Sequence, residues 1–182
     1  MRNIVLLFTF VFSFPTVTVL AQETEKPLDN YTIKRLLVCN DQGEIAMVKY
    51  NGIWNVPPLR YNKPETYNES LMHLTKEMGI EISEPKLAGV FSFTYDFNPK
   101  AALRMFYIAK YKSGTLKVKE RWEAIKWMPE EEFLKLKSQD VYSLMATKII
   151  EDVSTLWGGA FFLYKENEEV KYKITEDFYS LR

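Results

Sequence analysis

Strand-forming hydrophobic positions cluster in two neighbouring stretches after residue 30. Residues 32–40 and 44–50 are rich in aliphatic and β-branched side chains, and Asp41-Gln42-Gly43 between them is a turn signal. The pattern predicts two adjacent strands, which residues 54–56 continue. Proline lacks the N–H that a sheet ladder needs, so Pro57 and Pro58 predict the end of the strand and an extended loop through Pro64.

A helical period of hydrophobic positions follows this loop. Leu71, Leu74 and Met78 recur at intervals of three and four, which predicts a helix over 65–78. Thr66 is suited to cap the N-terminus of this helix, and Gly79 is suited to end it.

The second half of the chain predicts strands first and helices afterwards. Strands are predicted at 87–96, 103–111 and 123–128, with a turn at Ser113-Gly114. Pro129 and the three glutamates after it begin a short helix, and an amphipathic helix follows at 142–157.

A hairpin is predicted at the end of the chain. Residues 160–164 and 170–174 are apolar and β-prone, and a polar segment separates them. Strands mixed with a mid-chain helix and later helices indicate an α/β or α+β fold in one domain.

The first residues resemble a secretory signal. Arg2 precedes an apolar stretch over 4–14, and Ala21 provides a small residue for cleavage. The alternative is a membrane anchor, although Pro15 interrupts a run that is already short for a span. We expect cleavage after Ala21, no membrane span afterwards, and a secreted or periplasmic protein.

The sequence therefore divides into four parts. They are a signal peptide at 1–21, a linker at 22–31, the main domain at 32–157 and a C-terminal hairpin extension at 158–182.

Composition narrows the classes of function. The 24 basic and 24 acidic side chains give a formal net charge of zero, so bulk charge does not support nucleic-acid binding. With 47% apolar residues the chain can bury a core. Cys39 is the sole cysteine, which excludes an intrachain disulfide and suggests a buried thiol.

Three segments in order resemble one family. They are Trp54-Asn55-Val56-Pro57-Pro58, Glu77-Met78-Gly79-Ile80, and Glu123-Ala124-Ile125-Lys126-Trp127 with Glu131-Glu132-Phe133 after it. This arrangement resembles the Nudix hydrolases over roughly residues 32–150. The resemblance implies a Nudix-like α/β/α sandwich with a mixed sheet, to which the C-terminal β-hairpin is appended.

The resemblance also implies a chemistry. Nudix enzymes use glutamates on one helix to hold Mg²⁺ or a related cation, which activates water for attack on a pyrophosphate. With Gly79 as the anchor, the arginine of the family's box falls on Met72 and its glutamates fall on His73, Lys76 and Glu77. Glu77 is therefore the candidate catalytic residue.

Charge at these positions argues against the family's metal site. His73, Lys76 and Glu77 sum to about zero with a neutral imidazole, and Lys76 repels a cation. The loop before the helix also lacks glycines, because Pro58 and Leu59 stand there. We expect the metal site to be absent or crippled.

A rearranged metal site is the alternative. Glu69, His73 and Glu77 are spaced four residues apart on one helix face and offer ligands suited to Mn²⁺, Zn²⁺ or Fe²⁺. The other interpretation is that His73 pairs with Glu77 or Glu69 on a solvated face.

Three further residues are candidates for substrate binding. Arg104 can contact phosphate, Glu123 begins the strand of the third segment, and Phe93 alternates with other aromatic residues on one strand. Such an aromatic face either stacks a base or packs beneath a helix.

The sequence thus predicts an exported Nudix-like protein that is non-catalytic or weakly active and binds a small-molecule ligand or a protein partner. The alternative is a divergent hydrolase of a nucleoside diphosphate-linked or other pyrophosphate compound, with Mg²⁺ or Mn²⁺ as its cofactor. A third possibility is a homo-oligomer that pairs the edges of its C-terminal hairpins.

Overall fold

The structure is a computed structural model and describes residues 31–61, 64–138 and 140–182. These residues form ten strands, three α-helices and one 3₁₀ turn. The strands are β1 Tyr31–Cys39, β2 Glu44–Tyr50, β3 Ile53–Asn55, β4 Pro58–Tyr61, β5 Ile80–Ile82, β6 Lys86–Tyr95, β7 Ala102–Gly114, β8 Ala124–Pro129, β9 Trp157–Glu166 and β10 Glu169–Ser180. The helices are α1 Tyr67–Glu77, α2 Glu130–Leu134 and α3 Val141–Glu151, and the 3₁₀ turn is Lys135–Ser138. The predicted signal peptide and residues 22–30 of the predicted linker lie outside the described residues.

The strands form a mixed sheet with a continuous path β10-β9-β6-β7-β1-β2-β3. β1 lies parallel to β7 and β6 lies parallel to β9, whereas the hairpin partners are antiparallel. β4, β5 and β8 pair with β1, β7 and β2 respectively, off the main path.

The two faces of the sheet carry separate hydrophobic cores. Leu36 and Val38 pack with α1 on one face, and Leu37 packs with α2 and α3 on the other. Alternate side chains of one strand point to opposite faces, so β1 contributes to both cores. This arrangement confirms the predicted α/β/α sandwich with a mixed sheet.

Local signals define α1 as the sequence predicts. Thr66 caps the helix, and its side chain and that of Glu69 form a reciprocal capping box. Gly79 follows the helix with a φ of 78° and lies so close to the chain that a Cβ would stand 2.5 Å from the carbonyl oxygen of Thr115. In the described part of the chain, no helix is long and apolar enough to cross a membrane.

The loop predicted from Pro57 to Pro64 is wrong over part of its length, because β4 occupies Pro58–Tyr61. β4 pairs with β1 over Thr32–Arg35, whereas β2 meets β1 only where Cys39 lies opposite Ile45. Pro58 is the first residue of β4, a position at which the missing N–H is tolerated.

The Ser113-Gly114 turn is also wrong. Both residues belong to β7 and pair with β5, a three-residue strand that the sequence analysis did not identify. Gly114 has a φ of 104° and packs directly against Gly79. The chain after α1 therefore returns onto the sheet.

The last helix ends earlier than predicted. The side chain of Asp152 accepts hydrogen bonds from the backbone and hydroxyl of Ser154 and from the hydroxyl of Thr155. This local network ends the helical hydrogen bonding, so α3 stops at Glu151 and Trp157 begins β9.

The predicted C-terminal hairpin is confirmed and is longer than expected. β9 and β10 are joined by Asn167 and Glu168, which both have positive φ, as a tight hairpin turn requires. β9 joins the main sheet beside β6 and places Phe161 in the core with 1% of its surface exposed.

Candidate functional site

The solvent face of α1 carries the positions that the Nudix pattern assigns to metal binding. Met72, His73, Lys76 and Glu77 are all exposed, whereas the apolar side chains between them are buried against the sheet. The helix therefore presents its box positions to solvent, but with a methionine, an imidazole and an ammonium among them.

Glu69 is used for helix capping. Its carboxylate accepts a hydrogen bond of 2.8 Å from the backbone N–H of Thr66, and its own N–H donates to the Thr66 hydroxyl at 3.2 Å. Hydrogen bonds from Thr66 lower the pKa of the Glu69 carboxyl. This carboxylate is therefore committed to the first turn of α1.

The other two residues of the alternative metal site contact different partners. His73 Nδ1 lies 2.9 Å from Glu65 Oε2. His73 therefore pairs with a glutamate, but the predicted partners Glu77 and Glu69 are wrong. Glu77 forms an ion pair with Lys119, a residue of the loop after β7. An ammonium group therefore contacts the one retained box carboxylate.

These donors do not fit a divalent metal. Glu69, His73 and Glu77 each contact a different partner, and the structure does not bring their side chains together. Throughout the described ranges, no group of three or more His, Cys, Asp or Glu side chains could hold a metal ion.

A cleft lies over the opposite face of the sheet. Its volume is about 460 Å³, a size typical of small-molecule sites. Its lining consists of four arginines, three aromatic side chains, an isoleucine and a proline. They are Arg35, Arg60, Arg104, Arg121, Tyr50, Trp122, Tyr142, Ile33 and Pro58. We call this feature the arginine cleft.

Strand register explains how three of the arginines meet. Ile33 of β1 lies opposite Arg104 of β7 on one side and Arg60 of β4 on the other. Residues directly opposite each other share a face of the sheet, and Arg35 shares that face two positions along β1. The pairing of β1 with β4 thus builds the cationic floor.

Arg35 lies at the bottom of the arginine cleft and is only 3% exposed. Its Nη1 donates a hydrogen bond of 3.0 Å to the carbonyl oxygen of Val56. Its guanidinium carbon lies 3.7 Å from the ring centroid of Tyr142 on α3. Burial lowers the pKa of Arg35, and the charge of Arg104 lowers it further.

Arg104 lies beside Arg35 and is 4% exposed. Its Nη2 donates to the hydroxyl of Tyr95 at 2.8 Å, and its guanidinium carbon lies 4.9 Å from the ring of Phe93. Phe93 is fully buried and stacks on Tyr142 with the ring centroids 5.6 Å apart. Phe93 therefore packs behind the residues of the arginine cleft without lining it, whereas Arg104 is part of the lining.

Glu123 lies outside the lining of the arginine cleft. Its Oε1 accepts a hydrogen bond of 3.0 Å from the N–H of Gly52 in the β2–β3 turn, and its own N–H donates to the carbonyl oxygen of Lys49. These contacts join the start of β8 to β2.

Sequence reasoning missed most of the cleft. Arg35, Arg60, Arg121 and Tyr142 were not among the candidate residues. One signal was present for Arg35, since an arginine within an apolar strand needs a reason to be buried.

Comparison with known proteins finds similar solved structures but no matching family model or curated protein. No protein-family model matches the chain, and no curated protein matches it. Among solved structures, a MutT protein from Bacillus halodurans is 19% identical, covers 80% of this chain and 97% of its own, and gives a TM-score of 0.60. A MutT protein from Methanosarcina mazei Go1 is 15% identical, with 71% and 99% covered and a TM-score of 0.57. A NUDIX hydrolase from Nitrosomonas europaea is 16% identical, with 69% and 88% covered and a TM-score of 0.56. With the two cores and the mixed sheet, these likenesses show that the chain has the Nudix hydrolase fold.

Proposed function

We propose that this protein is an exported Nudix-fold domain that binds a small-molecule ligand in the arginine cleft and does not carry out metal-dependent hydrolysis. The observation that carries the proposal is that the metal-binding positions on the exposed face of α1 are replaced or paired with other groups. Glu77, the one retained box carboxylate, pairs with Lys119, and His73 and Lys76 stand where the family has its other glutamates.

Electrostatics supports the loss of the metal-dependent step. A divalent cation beside α1 meets the ammonium groups of Lys76 and Lys119, and like charges at a protein surface repel by up to several kcal/mol at close range. The hard oxygen ligands that such a cation needs are reduced to one carboxylate that already has a partner.

The structure before α1 supports the same proposal. The segment that the family uses to approach a phosphate is β4 here, with its backbone committed to β1. The carbonyl oxygen of Pro58 accepts a hydrogen bond of 3.0 Å from Arg121. A proline has no N–H to offer to a phosphate oxygen.

The exported location rests on the sequence of residues 1–21 and is part of the proposal. Mass spectrometry of the protein recovered from the host's secreted or periplasmic fraction should give a chain that starts at Gln22. Recovery of the intact N-terminus in the membrane fraction would favour the anchor instead.

The experiment that tests the catalytic part is a hydrolysis screen. The purified protein is incubated with nucleoside diphosphate sugars and Mg²⁺, Mn²⁺ or Zn²⁺, and product is measured beside Glu77→Gln as the matched variant. We expect no metal-dependent product from either protein, and no metal-induced rise in the melting temperature, because a ligand must bind the native state to stabilise it. Metal-dependent turnover that disappears in Glu77→Gln would overturn the proposal in favour of a divergent hydrolase.

A further inference from the structure

The outer edge of β10 has no partner strand among the described residues. β10 lies at one end of the sheet path and pairs only with β9. At about 3.4 Å per residue, its 12 residues extend over about 40 Å. β3, at the other end of the path, has three residues. β10 therefore provides the longest open edge among the described strands.

The groups on this edge are backbone hydrogen-bond donors and acceptors. β9 and β10 are joined by a two-residue turn, so the residues beside the turn bond to each other, and bonded and outward-facing residues then alternate along β10. Val170, Tyr172 and Ile174 thus direct their backbone N–H and C=O groups away from β9. The carbonyl oxygen of Leu163, which lies opposite Tyr172, agrees with this pattern, because it accepts a hydrogen bond from the N–H of Asp96 on the β6 side. An additional strand at the edge would satisfy the outward-facing groups.

Exposed apolar side chains are concentrated at the same edge. Val170, Ile174, Tyr179 and Leu181 are 56%, 45%, 45% and 43% exposed respectively. They are four of the eleven large apolar side chains that are exposed in the described part of the chain. Single exposed apolar residues are ordinary, whereas a group of them on one unpaired strand marks a surface for association.

The charges of β10 identify a second copy of the chain as its partner. The first half of the strand begins with Glu169 and then contains Lys171 and Lys173, whereas the second half contains Glu176 and Asp177. An antiparallel copy of β10 places the lysines of one strand beside the acids of the other, but a parallel copy places like charges together. A copy shifted towards the hairpin turn places lysine beside lysine. Opposite charges thus favour one antiparallel register, centred near the middle of the strand.

Two bulges make the pairing selective. The register of β10 against β9 shifts between Ile174 and Glu176 and again between Glu176 and Tyr179. Bulges and lysines on an edge strand oppose indiscriminate pairing, so a partner must match β10 in both shape and charge. A second copy related by a two-fold axis near Thr175 meets this condition, because the bulges then lie beside each other and the lysines lie beside acids.

We propose that β10 pairs antiparallel with the β10 of a second copy of this chain, which gives a closed dimer with one continuous sheet. Both copies use the same edge, so the dimer leaves no free copy of it and does not grow into a fibre. The inference goes beyond the proposed function and does not depend on it, because none of the residues that line the arginine cleft belongs to β9 or β10.

The test is the mass of the purified protein, measured by sedimentation equilibrium as a function of protein concentration. We expect the mass to rise from that of a monomer to that of a dimer between about 1 µM and about 500 µM, the range of a moderate affinity. A mass that continues to rise beyond that of a dimer would contradict the closed contact.

Charge substitutions identify the surface that associates. Lys173 is the critical residue, because its ammonium lies 5.2 Å from the ring centroid of Tyr164 and, among the described residues, no carboxylate forms an ion pair with it. Lys173→Glu places like charges together twice in a two-fold dimer, so we expect the dissociation constant to increase by about tenfold or more. Glu176→Lys should have a similar effect alone. The double variant with both substitutions should restore dimerisation, because the two charges are then exchanged.

Lys112→Glu is the matched control. Lys112 is also an exposed lysine on a strand, but it lies in the part of β7 that pairs with β5. The same change of charge there should leave the dissociation constant within about twofold of the unmodified protein. Added salt should reduce the difference between Lys173→Glu and the unmodified protein, because it screens exposed charges.

Three further outcomes would overturn the inference. The first is a monomer at every concentration up to about 1 mM, which would leave the edge to a different partner. The second is a dimer that neither Lys173→Glu nor Glu176→Lys weakens. The third is a double variant that is folded by circular dichroism but dimerises no better than the single variants, because the charges at these two positions then do not face each other.

Discussion

Lys34 and Arg35 are adjacent in the chain, and each buries a positive charge on a different face of the sheet. Lys34 lies under α1, is fully buried, and stands 4.2 Å from the ring centroid of Tyr61 and 5.1 Å from that of Tyr67. Its ammonium also donates to the Ser70 hydroxyl. Lys34 thus has partners within the protein, whereas no carboxylate among the described residues forms an ion pair with Arg35.

The burial of Lys34 predicts a pH dependence of stability. Burial lowers the pKa of Lys34 from its ordinary 10.5 to about 8, against the opposing charge of Glu65. Between these two values the unfolded chain binds more protons than the folded protein at this site. The Lys34 contribution to the free energy of unfolding should therefore rise as the pH increases from about 8 towards 10.5, and stay constant below that window.

The measurement is the difference in unfolding free energy between the unmodified protein and Lys34→Met at several pH values from 7 to about 10.5. The difference is needed because burial also raises the pKa of Cys39 to about 11 and of Tyr107 to about 12, which opposes stability at high pH. Lys112→Met, at an exposed position, should leave the pH profile unchanged. A difference that is flat across the window would contradict the prediction.

At the residue scale, two arginines show which site residues can be identified from the sequence alone. Arg104 was predicted as a possible phosphate contact because it lies near the aromatic strand of Phe93 in the sequence. Arg35 was not, because its role depends on β4, which brings Arg60 to the same face through pairing with β1. Long-range register cannot be read from the composition of one strand.

At the scale of elements, those defined by contacts between residues close in sequence were predicted, and those defined by pairing with a distant strand were not. The start and end of α1 were predicted because Thr66, Glu69 and Gly79 act within a few residues of one another. β4 and β5 were not predicted, because each exists only through a distant partner strand. A short strand beginning with a proline gives no local signal.

β9 illustrates the same limit and carries a prediction. Phe161 is 1% exposed and contacts the rings of Phe91 and Phe93, whereas its neighbour Phe162 is half-buried and stacks on Tyr164. Phe161→Ala should lower the free energy of unfolding by about 3–5 kcal/mol, as is typical for a core phenylalanine. Denaturant unfolding followed by circular dichroism measures this loss.

Phe162→Ala is the internal control, because it removes the same group from the opposite face of the same strand. We expect a loss of about 1 kcal/mol or less, since less apolar area leaves water there. Equal and small losses at both positions would show that the hairpin contributes little to the core. The parallel pairing of β9 with β6 would then contribute little to the stability of the protein.

At the scale of the whole molecule, the residues that maintain the fold and the positions that the family uses for hydrolysis lie in different places. The two cores that hold the sheet and helices together consist of buried residues. The box residues Met72, His73 and Lys76 lie on the exposed face of α1. Exposed positions change at little cost in stability, so the fold persists with different side chains there.

The same separation predicts that a metal site can be rebuilt without loss of the fold. Met72→Arg, His73→Glu and Lys76→Glu, combined with Lys119→Gln to release Glu77, place three carboxylates on one exposed helix face. Each change lies outside the two cores, so folding should be retained. The added negative charge should attract a divalent cation where the present charges repel it.

Thermal unfolding with and without Mn²⁺ measures the result. For a dissociation constant of about 1 mM, about 10 mM metal stabilises the folded state by about 1.4 kcal/mol, which raises the melting temperature by about 3 °C or more. A matched variant with His73→Gln and Lys76→Gln keeps the size of the side chains without their charge and should show no shift. If the rebuilt protein folds but also shows no shift, then more than the α1 side chains has been lost. The commitment of β4 to β1 would then be the feature that prevents metal binding, because it fixes the segment before α1 in the sheet.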